Sequence, residues 1–335
     1  MSARRALRFS ASADASNVGA HSLDMLRAEA ARLAVAYPQQ PLAEIIADIA
    51  ALQDMTFTLL EGRQRPRETR DLYVFGGLFS GMLAKAAHDM REPYTAMAHA
   101  RTALLCAHNA EHQPLAAWVT ALQSLIAYWA GRPREALGYA RSAAAEYSGS
   151  GSVQVWLAAL EARAWASLGN ASESMRAIER ASDLRDGHAS DGLDDFGGMC
   201  YFSPARQLYY AADACASLPE SVFGPDIRVR AEAFAVGAVA AYQNASEAER
   251  SFGDQAGAMT DLAITRVRAN DIEGASEAIS PVLELSAPQR INGILRSMSG
   301  VHRALSASSA DSSAACDLQE AIEDYCRAPA PALPQ

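Results

Sequence analysis

Small and apolar residues recur along this chain in a spacing that is neither the alternation of a strand nor the unbroken run of a membrane span. In "AYWAGRPREALGYARSA", residues 127–143, one helical pattern stops at Gly131 and another starts, with Ala136, Ala140 and Ala143 at offsets of five, nine and twelve. The same offsets hold Ala96, Ala100 and Ala103 after Arg91, Ser174, Ile178 and Ala181 after Gly169, and Ala275, Ile279 and Val282 after Asn270. Steps of four and three fall on one face of a helix. A matching set precedes each turn: Ser80, Leu83, Ala84 and Ala87, then Thr120, Gln123, Ser124 and Ala127, then Ala158 and Ala162, then Leu262 and Ala263. Gly or Asn, which leave the helical region readily, occupy three of the four turns, and Pro93 and Pro133 follow two residues later, where no N–H donor is yet needed. Each unit is thus predicted to be a hairpin of two closely approaching antiparallel helices. Such a hairpin cannot bury its apolar face alone, so its neighbours must stack on it.

The rest of the chain is predicted around these hairpins. Residues 1–22 lack periodicity and are expected to be disordered. A first helix is expected over 23–36, stopping before Pro38. Pro41 opens the next, with Leu42, Ile45, Ile46, Ile49 and Leu52 as its stripe and Gly62 at its end. Residues 183–204, "DLRDGHASDGLDDFGGMCYFSP", carry too many Gly and Asp residues for a helix and read as an irregular loop. Helical patterning resumes after it, with closing helices near 288–306 and 312–327. The whole of 23–327 is predicted to be a single helical-repeat domain, followed by a Pro-rich tail over 328–335.

The hairpin resembles the tetratricopeptide repeat, whose unit is about 34 residues long. Here successive turns lie 40, 38 and 101 residues apart, so the repeats are divergent. The resemblance implies an all-α fold, a right-handed α-solenoid of stacked helical hairpins. It also implies that the first helix of each hairpin lines a concave groove, with Lys85, His88, Trp118, Leu125, Tyr128, Trp156 and Arg163 on or near it. The competing place for Trp118, Trp156 and Tyr128 is the hairpin core, which is the preferred reading for each taken singly. A second resemblance covers roughly 23–306. The segments "EGRQRPRETRDLY", "LQSLIAYWAGRPREAL", "PARQLYYAAD", "ERSFGDQAGA" and "QRINGILRSMSGVHRAL" are similar to the sensor region of actinobacterial helix-turn-helix (Xre-type) transcription regulators. It implies a sensing or partner-binding module whose DNA-binding half is missing or on another chain.

Composition narrows the functional classes. The formal charge of −10 argues against direct nucleic-acid binding, which needs a basic face. No apolar run is long enough for a membrane span, and no secretory signal is evident, so a cytoplasmic protein is expected. Five scattered cysteines without a CxxC pair suit reduced, mostly buried thiols. Lys85 is the only lysine among 29 basic residues, which points to a GC-rich, actinobacterial genome.

Candidate chemistry is sparse. "DGLDDFGG" offers Asp194 and Asp195 as in a terpene cyclase, but the third acidic position is Met199, and "NDIEGASEA" lacks the hydroxyl and carboxylate of the companion motif. "CAHNAEH" brings Cys106, His108 and His112 together without an evident fourth metal ligand. No phosphate cradle, nucleophile elbow or HExxH occurs. Neither metal nor cofactor is expected. The reading is a non-enzymatic regulatory or adaptor protein that binds a peptide, a protein segment or a small signal molecule, in control of transcription or specialised metabolism. A homodimer is a further expected partner. The alternative is an enzyme or ligand carrier on the same scaffold, with Tyr201, Arg206 and Tyr209 set against Lys85, His88 or Arg163.

Overall fold

The computed structural model describes residues 5, 6, 8, 15–308 and 313–327. The Pro-rich tail and half of the N-terminal segment 1–22 lie outside the described residues. From Ala20 to Arg327 there are fourteen α-helices and, among the described residues, no strand. They are α1 Ala20–Ala36, α2 Leu42–Glu61, α3 Pro66–Asp89, α4 Pro93–Asn109, α5 Gln113–Trp129, α6 Pro133–Glu146 and α7 Ser152–Ser167. There follow α8 Ala171–Asp186, α9 Pro204–Ala216, α10 Pro225–Gln243, α11 Phe252–Arg268, α12 Ile272–Leu283, α13 Asn292–Ala307 and α14 Ser313–Arg327. No helix among the described residues is long and apolar enough to cross a membrane.

Each odd-numbered helix from α3 onward packs against the even-numbered helix after it, and the odd helices also pack against one another in series. The result is a tetratricopeptide-like solenoid of stacked hairpins. The residues at offsets five, nine and twelve after the four turns are all buried. Their small size has a visible purpose. Ser124 Oγ donates to the carbonyl of Ala136 across one hairpin at 2.8 Å, and Ser174 Oγ to that of Ala162 across another at 2.9 Å. Only backbones in close approach let a two-atom side chain span the seam.

The turns share one conformation. Arg91, Gly131, Gly169 and Asn270 all have positive φ, of 67°, 75°, 76° and 62°. Glu111 joins them at 50°, between α4 and α5. The chain therefore reverses in the same manner at both ends of α4, a turn the Gly/Asn rule does not find because Glu is not a turn former. Where the residues suggest four hairpins, the fold has a longer array, in which α9 and α10 also pair across the 3₁₀ turn Glu220–Val222.

The irregular segment after α8 is tightly built. Asp194 accepts from the backbone N–H of Ser152 at 2.9 Å and from its hydroxyl, so it caps the N-terminus of α7. Ser152 Oγ in turn accepts from the N–H of Phe202 at 2.9 Å, and His188 Nε2 lies 3.0 Å from Asp194 Oδ2. Leu193, Phe196, Met199, Cys200 and Phe202 are buried, and two 3₁₀ turns of the segment rest on α1.

The array also meets itself. α13 touches α3, the N–H of Phe252 donates to the carbonyl of Pro38 at 3.1 Å, and Gln39 Nε2 donates to the carbonyl of Glu247 at 2.7 Å. The first and last layers therefore enclose a central space.

Candidate functional site

The C-terminal ends of α3, α5, α7, α9 and α11 reach one edge of the array, with the positive-φ turns at Arg91, Gly131 and Asn270. Across that edge lies α13. Between them is a groove of about 1320 Å³. One wall carries Tyr128, Trp129 and Asp213 from the helix ends and Asp261 from the middle of α11; the other carries Asn292, Arg296, Ser297 and Arg303. A smaller cavity of about 110 Å³ lies behind it and shares His88 and Trp129 with it.

Seven of the ten predicted site residues border this inner cavity: Lys85, His88, Leu125, Trp156, Arg163, Arg206 and Tyr209. Their charges are already answered. Lys85 Nζ sits 2.6 Å from Asp89, which also accepts from Tyr37 OH at 2.8 Å, and Arg206 Nε sits 2.8 Å from Asp254. His88 is buried, and desolvation lowers its pKa to about 4; Asp89 opposes the shift, while Lys85 and Arg296 add to it. It is a neutral imidazole at physiological pH.

Arg163 does not stand free in a groove. It is 1% exposed and ion-paired through Nε with Asp213 Oδ2 at 2.5 Å. Its guanidinium carbon lies 4.0 Å from the Tyr210 ring centroid, 4.8 Å from Tyr128, 5.2 Å from Trp129 and 5.3 Å from Tyr209. Four rings and a carboxylate replace the water this cation has lost. Asp213 also accepts from Tyr128 OH at 2.9 Å. Tyr128 borders the large groove rather than the inner cavity.

Two predicted residues border neither space. Trp118 is 1% exposed, donates Nε1–H to the carbonyl of Met199 at 3.2 Å, and fills the room left by the missing side chain of Gly81. Tyr201 packs beside Arg185 and His188 on the irregular segment. The segment's remaining aromatics go into the interior, where Phe202 stacks with Trp156 at 6.2 Å. His112, from the histidine-rich motif, caps α5 by accepting from the N–H of Leu115 at 3.1 Å. Among the described residues no three His, Cys, Asp or Glu side chains gather to hold a metal. Cys106, Cys200 and Cys215 are buried, whereas Cys316 is exposed and Cys326 half-buried.

Pattern reading missed the groove's main lining. Asp213 and Asp261 lie in helices whose apolar stripe gives no reason to single out a carboxylate, and α13 is brought opposite the turn edge only by closure of the array.

No family model matches this chain, and no curated protein matches it in sequence. Among solved structures it is similar to a Rap protein crystallised in complex with competence and sporulation factor. The TM-score is 0.49 and the identity 11%, over 92% of this chain and 88% of that one. An identity that low says nothing about what is bound.

Proposed function

We propose that this chain is a non-enzymatic regulatory or adaptor protein that holds an extended peptide or protein segment in the groove between the turn edge and α13. The observation that carries this is the groove's size and position. At about 1320 Å³ it exceeds the roughly 300–1,000 Å³ of a small-molecule pocket, and it runs past the ends of successive hairpins. A place in transcriptional or specialised-metabolism control is part of this proposal and rests only on the resemblance of the quoted segments to regulator sensor regions.

Native mass spectrometry of the chain purified from its own host tests the reading, with Ala304→Trp, on the groove wall, as the blocking variant. A retained peptide or protein mass that is lost in Ala304→Trp is the expected outcome. A retained mass indifferent to that substitution would sink the groove as the binding site. The second reading, an enzyme or carrier, would use the inner cavity. Its volume of about 110 Å³ holds little more than a few waters, and Lys85 and Arg206 beside it are each ion-paired, so the first reading is preferred.

A further inference from the structure

The groove's floor contains a polar group that the fold leaves unanswered. Asp261, on α11, is 3% exposed and borders the groove, and its Oδ2 has no hydrogen-bond partner among the described residues. A buried acceptor without a donor costs about 1–3 kcal/mol, and more when charged, so its presence calls for a reason. Asp213 differs, because Arg163 and Tyr128 both donate to it.

The surroundings of Asp261 suit a cation. The C-termini of α3, α5, α7, α9 and α11 end along the groove's edge, where each brings the negative end of its helix dipole; Asp261 lies about two turns further in along α11. Tyr128 and Trp129, both half-buried, border the groove with aromatic surface. The charge of Arg163, which also faces Asp261, is already answered by Asp213. The rim has the opposite character. Arg91, Arg296 and Arg303 are exposed along the groove, and none has a carboxylate partner among the described residues.

We propose that the groove floor is a receptor for a primary ammonium group, with Asp261 as its counter-ion and Tyr128 and Trp129 as its apolar wall. The group is the amino terminus of an acidic peptide whose carboxylates meet Arg91, Arg296 and Arg303. This rests on the groove-binding reading above and adds the chemistry and polarity of the ligand.

The site carries its own proton signature. Burial, reinforced by the charge of Asp213 and opposed by Arg163, pushes the pKa of Asp261 well above the usual carboxylate range. The groups facing it are Asp213, Tyr209 and Cys215 from α9 and Arg163 from α7. Without a cation beside it, the carboxyl is therefore held towards its neutral form. When R–NH3⁺ arrives, the carboxyl O–H proton passes to solvent, the ammonium keeps its three hydrogens, and a carboxylate–ammonium pair forms.

The test is isothermal calorimetry on the full chain, in two buffers of different ionisation enthalpy. The probes are Leu-Ala-Glu-Glu, its N-acetylated form and N-acetyl-Lys-Ala-Glu-Glu. The free-amine peptide is expected to bind with net proton release, and acetylation to weaken it about tenfold or more. Asp261→Asn, which mimics the resting neutral acid and so keeps the fold, is expected to bring the free-amine peptide down to the acetylated level and abolish proton release. Tight binding of the acetylated lysine peptide would support the ammonium site and move its source to a side chain. Equal affinity with and without an ammonium, an unchanged affinity in Asp261→Asn, or no saturable binding of either ammonium peptide would overturn the inference. Peptides that bind regardless of their ammonium yet are lost in Ala304→Trp would leave the groove reading standing; peptides retained by that variant would count against the groove itself.

Discussion

At the residue scale, the most consequential arrangement is the buried set Arg163, Asp213 and Asp261. Removing one member of a buried ion pair strands the other, at a cost of about 3–5 kcal/mol. Asp213→Asn is expected to lose less than this, because Asp261 is then free of its neighbour's charge and can ionise to answer Arg163. The double variant Asp213→Asn/Asp261→Asn removes that substitute, so urea unfolding should give it a loss greater than the sum of the single effects. Additive losses would show that Asp261 and Arg163 do not communicate. His88 supplies a pH dependence of the opposite kind to Asp261. Its folded pKa, about 4, lies below its ordinary 6.5, so the unfolded chain takes up the proton first as pH falls. Its contribution is complete above about pH 6.5 and declines towards pH 4 by roughly 3 kcal/mol in all. His88→Gln should flatten the fall in urea midpoint between pH 7 and pH 4.5 relative to the parent chain. Neither group stands out in the sequence: a His near a helix end or an Asp within a helix is unremarkable until tertiary packing removes its water.

At the scale of elements, the irregular segment between α8 and α9 behaves as an internal strut. Its composition announces that it is not helical, and there the legibility of the sequence ends. Asp194 resembles half of a metal-binding motif in the sequence, yet in the fold it is the cap of α7. Gly198 explains how the strut docks. Its φ is +49°, and a Cβ there would run into the backbone carbonyl of Ala34 on α1. Gly198→Ala should therefore destabilise the chain by about 2 kcal/mol or more, through both the backbone conformation and the overpacked contact. Hydrogen exchange should place the loosening at α1 and residues 193–202. A loss of protection spread evenly over all hairpins would argue against a local strut. The hairpins themselves were far more legible, because burying the seam requires small residues at every crossing and so writes the same offsets four times.

At the scale of the whole molecule, closure matters most. In an open solenoid each layer touches only its neighbours, and small rotations accumulate along the array. Here the contacts of α13 with α3, and of residues 38 and 39 with 252 and 247, tie distant layers together. A ligand in the groove touches both the turn edge and α13, so it favours the closed arrangement over any in which they part. Small-angle scattering should show a smaller radius of gyration, or a narrower distance distribution, when the groove is filled. An unchanged profile would remove a curvature switch while leaving binding intact.

What the sequence determined by itself is the repeating unit: helical spacing, small residues at the crossings, and turns that Gly or Asn make visible. These are local consequences of backbone sterics and of burying one face, and each is written within a single hairpin. The tertiary structure decided the rest. It placed Trp118 under Gly81 as core, enclosed Arg163 in rings, turned Glu111 into a repeat of the Arg91 turn, and set α13 across from five helix ends. Each of these depends on residues far apart in the chain meeting once the array closes. Desolvation and charge pairing, which give Asp261 its character, exist only where those residues meet.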